Sequence, residues 1–141
     1  MKPREAFQRI FAGMRADLQD YQRLRELLEA QFAAALEHRS EEIAAIGEQI
    51  STLAEVLDGR RVERQRLAAL LVPKGTRPSI SAVAERLQGA SRSAFDTCWK
   101  SLESAVRDCK ALNMRNCRLL MDQYEIMQRV LNAEAHTYAP A

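Results

Sequence analysis

Apolar residues recur at spacings of three, four or seven over the first quarter of the chain, which is the period of one face of an α-helix. Pro3 suits the first turn of this helix, and the pattern continues to about Glu37. His38, Arg39 and Ser40 then form a polar break, in which Ser40 can cap a second helix. The sequence predicts a tight helical hairpin here, while one continuous helix stays open because neither Gly nor Pro forces a stop.

The second predicted helix carries a coiled-coil-like seam with spacings of three and four, at Ile43, Ile46, Ile50, Leu53, Leu57, Leu67 and Leu71. Arg60 and Arg64 occupy seam positions, where buried guanidinium groups are costly. Either the apolar stripe rotates through Val56 and Val62, or the arginine stems lie along the groove with their charged ends in water. We expect the helix to bend or fray there.

Two prolines and a glycine within residues 72–78 predict a surface loop. A short third helix follows, with Ser79 or Ser81 as its cap and Gly89 as its left-handed end. The fourth helix is predicted from about Ser91 to Asn132, because its seam continues in three-four alternation throughout. A second line repeats every seven residues beside this seam, at Trp99, Val106, Asn113, Leu120 and Met127.

The fourth helix is the longest, at roughly 60 Å for about 1.5 Å per residue, so one end should project beyond its neighbours. We expect Phe95 to Leu112 to pack on the first two helices and Leu119 to Leu131 to project. Projecting apolar surface marks a partner site or self-association.

The composition agrees with an all-α fold, since aromatic residues make up 6% and only 5 glycines and 4 prolines occur. We predict one domain over residues 1–135, an antiparallel helical bundle or coiled coil of three long helices plus one short helix, with a long projecting C-terminal helix. Residues 136–141 are predicted to form a flexible tail.

The charge is nearly balanced, with 21 basic against 19 acidic residues, and it does not indicate nucleic acid or anionic lipid as a partner. Cys98 and Cys109 would stand roughly 16 Å apart along one helix, too far for a disulfide, so the thiols indicate a reducing compartment. No signal peptide or membrane span is recognisable. We therefore predict a cytoplasmic protein without stable membrane insertion.

Candidate chemistry is sparse. The glycines stand alone and form no phosphate-binding loop. His38 and His136 have no Cys or His neighbour at ligand spacing, so no metal site is predicted. Cys98 and Cys109 occupy seam positions, where packing is a better interpretation than nucleophilic catalysis. No catalytic residue and no cofactor are assigned, and we predict that the protein is not an enzyme.

Two polar features allow more than one interpretation. The basic cluster at residues 60–66 could follow a phosphate backbone, but Glu63 interrupts it and no aromatic residue interleaves, so an ion-paired helix face is favoured. Asn113 and Asn116 interrupt the apolar lines of the last helix. They can pair with a polar group on a facing helix, or their amides can anchor the backbone of a partner, and both remain open.

Residues 111–120 read Ala-Leu-Asn-Met-Arg-Asn-Cys-Arg-Leu-Leu. This stretch resembles the Leu-Asn-x-x-Asn-x-x-Leu-Leu segment in the last helix of the FlgN family of flagellar export chaperones. Residues 24–29 and 33–36, the following polar break and the arginine-bearing second helix are similar to the first half of that family. Thr137 and Tyr138 stand where the family carries Thr/Leu-Tyr-Gly, with Ala139 in the place of the family's glycine. The resemblance covers nearly the whole chain.

The resemblance implies a chaperone that keeps hook-associated (hook-filament junction) proteins unassembled and brings them to the flagellar type III export gate. It implies that the C-terminal segment of the client binds the C-terminal region of the chaperone, and that Tyr138 helps to dock the complex on the FlhA-type gate protein. The spare apolar stripe agrees in kind with such a partner. The predicted client-binding residues are Asn113, Asn116, Leu119, Leu120, Gln123, Ile126, Met127, Val130 and Leu131.

Two other classes remain as alternatives. One is a structural coiled-coil protein that associates only with itself through the last helix, and the other is a nucleic-acid binder through residues 60–66. For the chaperone we expect a monomer or weak dimer.

Overall fold

A computed structural model describes residues 1–138 of the chain, with side chains described for residues 1–130 and 132. It contains four helices, α1 (Pro3–Leu36), α2 (Ser40–Leu71), α3 (Ile80–Ala84) and α4 (Gly89–Tyr138). No strand occurs within residues 1–138. The predicted all-α fold of three long helices and one short helix is confirmed.

The turn between α1 and α2 is a tight hairpin, so the single continuous helix is excluded. His38 adopts a φ of 56°, in the left-handed region that ends many helices. The backbone N–H of Arg39 donates to the carbonyl of Ala34 at 3.0 Å, which closes the turn. Ser40 is the first residue of α2 and makes no capping hydrogen bond, so its predicted role as a cap is wrong.

The connection through α3 follows the prediction in part. The Ser79 hydroxyl accepts a hydrogen bond from the N–H of Ala82 at 3.1 Å, as expected of a cap. Gly89 has a φ of 61°, which a residue without Cβ adopts readily. Gly89 does not end α3, which already ends at Ala84. It is the first residue of α4.

The helix α1 lies between α2 and α4 and packs against both. The main core combines residues of all four helices, including Ile10, Met14, Leu67, Val83 and Phe95. No Cα of α4 comes within 8 Å of α2 in the described part, so α4 meets α1 along its backbone and meets α2 only through the side chains of the shared core. Side chains alone bridge that gap, as where the Arg64 guanidinium lies 5.6 Å from the centre of the Trp99 ring.

Arg60 and Arg64 do not break α2, which is continuous from Ser40 to Leu71. Arg64 is bound to Asp17 of α1 at 2.8 Å, and Arg60 is bound to both Asp17 and Asp20. Burial lowers the pKa of Arg60, but hydrogen bonds to the two aspartates outweigh it and leave the pKa raised. The predicted bend or fraying is therefore wrong, because acidic partners on α1 neutralise the buried charges.

The apolar stripe of α2 does not rotate through Val56 and Val62 either, since both are exposed. The guanidinium groups of Arg60 and Arg64 both bind Asp17 of α1, and the Arg60 side chain keeps 31% of its surface exposed. The side chain of Asp17 is only 2% exposed between them. A buried charge network thus joins α1 and α2.

Candidate functional site

The middle of α4 is fixed to α1 by polar side chains at helical spacing. The Asn116 amide donates to the Leu28 carbonyl at 2.7 Å and to Gln31 Oε1 at 3.1 Å. Its oxygen accepts from the Arg115 guanidinium, which also pairs with Glu29 at 3.0 Å. Asn116 is buried, and every polar atom of its side chain is used within the protein. Asn116 therefore pairs with the facing helix, which is the first of the two interpretations above. The side chain of Asn113 is exposed.

Replacing Asn116 by Ala should lower the free energy of unfolding by about 1–3 kcal/mol, because it leaves buried acceptors without their donor. Urea unfolding followed by circular dichroism measures this loss. Asn113→Ala is the matched control, since it removes an exposed amide from the same helix. Equal stability of the two variants would contradict the anchoring role.

Gln123 marks the end of the contact between α4 and α1. Its amide donates to the Ala35 carbonyl at 2.7 Å, one residue before α1 ends at Leu36. Among the described side chains, none beyond Gln123 on α4 hydrogen-bonds to another helix. We call residues 124–138 of α4 the overhang, which extends for roughly 20 Å at about 1.5 Å per residue.

Among its described side chains, the overhang exposes two aliphatic residues and a methionine to water. Ile126 is 58% exposed, Met127 56% and Val130 51%. We call these three residues the overhang stripe. Leu119 and Leu120, just before the overhang, are half-buried, as is Gln123. The side chain of Leu131 is not among the side chains that the structure describes.

Two large exposed side chains near the start of the overhang lie outside the predicted contact face, and of these the sequence suggested only Met121, as a side chain that could adjust to different clients. Met121 is 61% exposed and Tyr124 is 65% exposed. Neither lies on the three-four seam, so the seam alone could not select them. The signal available in the sequence was an aromatic residue among the polar positions of the last helix, because aromatic side chains are frequent in interfaces.

The arginine cluster of residues 60–66 is internally neutralised. Besides the Arg60 and Arg64 network, Arg61 pairs with Asp58 at 2.9 Å, and Arg66 pairs with Glu63. Every guanidinium of the cluster therefore has a carboxylate partner. The arrangement supports the ion-paired helix face and removes the strongest feature of the nucleic-acid alternative.

The thiols are arranged for packing rather than for chemistry. Burial raises the pKa of Cys98 and Cys109, so both are protonated at neutral pH. The Cys109 thiol donates to the Tyr21 carbonyl at 3.5 Å, within the contact of α1 and α4. Among the described residues, no group of three His, Cys, Asp or Glu side chains could hold a metal ion.

The sequence matches one protein family over almost its whole length. The family described as FlgN protein matches residues 1–136. The chain belongs to the FlgN family. Membership in the FlgN family implies a flagellar export chaperone, a class of binding proteins rather than of enzymes. No curated protein and no solved structure gives a significant match to the chain.

The segment that resembles the FlgN family most clearly, residues 111–120, lies where α4 still packs on α1. Asn116 is buried there, and Leu112, Leu119 and Leu120 are half-buried. In this chain the FlgN-like segment therefore holds α4 in place, and the freely exposed apolar surface follows it.

Within residues 1–138, no helix is both long and apolar enough to cross a membrane.

The Thr137-Tyr138 pair of the FlgN-like pattern lies at the end of the residues that the structure describes. The helix α4 begins at Gly89 rather than Ser91 and continues past Asn132 to Tyr138, so it includes three residues that the sequence assigned to a tail. The side chain of Tyr138 and all of residues 139–141 lie outside the described part. The flexible tail stays a prediction.

Proposed function

We propose that the protein is a cytoplasmic export chaperone that holds the C-terminal segments of hook-associated proteins on the overhang stripe. The client stays unassembled while bound and is delivered to the flagellar type III export gate. Family membership supports the chaperone class. The observation that supports the site is the exposure of Ile126, Met127 and Val130 on a helix that α1 no longer covers.

The mechanism we propose is coupled folding and binding. A disordered amphipathic client segment would place its apolar side chains against the overhang stripe and become helical there. Met121 and Met127 would adjust to more than one client, because the unbranched thioether side chain changes shape easily. Neither catalysis nor a cofactor is part of this proposal.

The contact surface we propose extends from Leu119 and Leu120 through Gln123 and the overhang stripe to Leu131. Asn116 contributes by fixing α4 on α1, since its amide is already used. Asn113 stands exposed at the start of the surface. We propose that Tyr138, which follows the surface, docks the loaded chaperone on the FlhA-type gate protein.

The test is to titrate the purified chain with C-terminal segments of hook-associated proteins in a calorimeter. We expect a one-to-one complex with a negative heat-capacity change, because apolar surface is buried. A gain of helix signal in circular dichroism would accompany it. Failure of every such segment to bind would favour the structural coiled-coil alternative.

A further inference from the structure

A second apolar surface lies between the first half of α1 and the start of α4. We call it the N-terminal groove, a volume of about 690 Å³ with Phe7, Phe11, Leu87, Ala94 and Phe95 among its lining residues. Arg4 and Arg15 also line it, and both are exposed. The groove continues past Leu18 and Cys98, and no α2 residue lines either part.

The N-terminal groove and the overhang stripe lie on the same face of α4. An α-helix returns to the same angular position after 18 residues, because these make five turns of 3.6 residues. Ala94 lines the groove, Leu112 comes 18 residues later, and Val130 of the overhang stripe comes another 18 residues later. One face of α4 thus carries a groove wall near its start and an apolar stripe near its end.

The two surfaces also complement each other in charge. Arg15 lines the N-terminal groove next to Ala94 and Cys98, and Asp122 precedes the overhang stripe by one turn. Neither of these charged residues has an ion-pair partner within the described side chains. A helix carrying the overhang stripe would therefore bring apolar residues to the groove and a carboxylate to Arg15, whose guanidinium otherwise lies 5.5 Å from the centre of the Phe11 ring.

We propose that the N-terminal groove accepts the overhang of a second copy of this chain, in an antiparallel two-fold dimer. When Ala94 of one copy stands opposite Ile126 of the other, Cys98 stands opposite Asp122, and Asp122 comes next to Arg15. The two-fold axis then crosses α4 at the level of residue 110, and each copy gives one overhang and receives one. Such an interface closes on itself and does not form filaments.

The dimer goes beyond the proposed export function, although the two share a surface. The overhang stripe would be covered by the partner copy in the absence of client. A client segment would have to displace it, so dimer and client complex exclude each other. Chaperone availability would then depend on the concentrations of both chain and client.

Sedimentation of the full chain without client tests the proposal. We expect the mean mass to rise from monomer to dimer over the micromolar range. Arg15→Asp and Asp122→Arg should each weaken dimerisation by about tenfold, because each reversal acts at both halves of the interface and replaces attraction by repulsion. The double variant should regain dimerisation, which a merely structural effect of either substitution would not produce.

Arg107→Asp is the matched control, since Arg107 is an exposed arginine that lines a different surface near Trp99 and Glu103. It should dimerise like the wild type. A chain that stays monomeric at all concentrations overturns the proposal, and so does a dimer that neither charge reversal weakens.

The outcome is independent of the export function, because no client is present in this experiment. A monomer would overturn the dimer and leave the client titration to be judged by itself. Adding an excess of a binding client segment should dissociate the dimer. A dimer that binds the segment without dissociating would contradict the shared surface.

Discussion

A variant with both Ile126→Asp and Val130→Asp should bind client segments about 10²–10⁴-fold more weakly and keep its overall helix content. Burying each of these side chains against a client is worth about 1.5–3 kcal/mol, so the pair accounts for about 3–6 kcal/mol. Both side chains are more than half exposed, so they contribute little to the core. Calorimetric titration and far-ultraviolet circular dichroism measure the two quantities.

The matched control for this variant is Val56→Asp with Val62→Asp on α2. These valines are 44% and 54% exposed, so the same kind of substitution is made on a comparable surface away from the overhang. The control should bind clients like the wild type. Wild-type affinity in the overhang variant would refute the site, and equal losses in both variants would show a non-specific effect of charge.

The second large effect is expected at the charge network between α1 and α2. Asp17→Ala should lower the free energy of unfolding by about 3–5 kcal/mol. The substitution removes the carboxylate that pairs with the largely buried Arg64 and one of the two carboxylates that pair with Arg60. Arg64 loses the only carboxylate that pairs with it among the described residues, while Arg60 retains Asp20. Chemical unfolding followed by circular dichroism gives the value.

Asp58→Ala is the matched control, since it breaks an exposed ion pair with Arg61 that lies within α2. Exposed pairs contribute little, so this variant should unfold close to the wild type. Asp17→Asn should fall between the two, because the amide keeps the shape of the side chain and can still accept a hydrogen bond. A stability of Asp17→Ala equal to that of Asp58→Ala would refute the network.

The sequence was sufficient for the helices because their apolar spacing is a local property. Seam positions such as Ile46, Leu57 and Leu102 are buried as their three-four spacing predicts. The partners of Arg60 and Arg64 could not be found in this way. Asp17 lies 43 and 47 residues away on another helix, and only the relative register of α1 and α2 brings the charges together.

Part of the candidate site could also be predicted, because helix length and apolar spacing can be read from the sequence alone. The length of α4 predicted an overhang, and the structure places its start directly after Gln123, which hydrogen-bonds to the end of α1. The role of Asn116 remained open because its main acceptor is the Leu28 carbonyl, a backbone group that no side-chain pattern reveals. The identity of a client likewise depends on its own sequence.

The overhang separates the residues that maintain the fold from those on which we propose that clients bind. Ile126, Met127 and Val130 make no part of either buried cluster, so mutations there carry little penalty in folding. Asn116 and Asp17, in contrast, are constrained by their partners on neighbouring helices. Substitutions at the end of α4 are therefore expected to change the proposed client preference while the bundle stays the same.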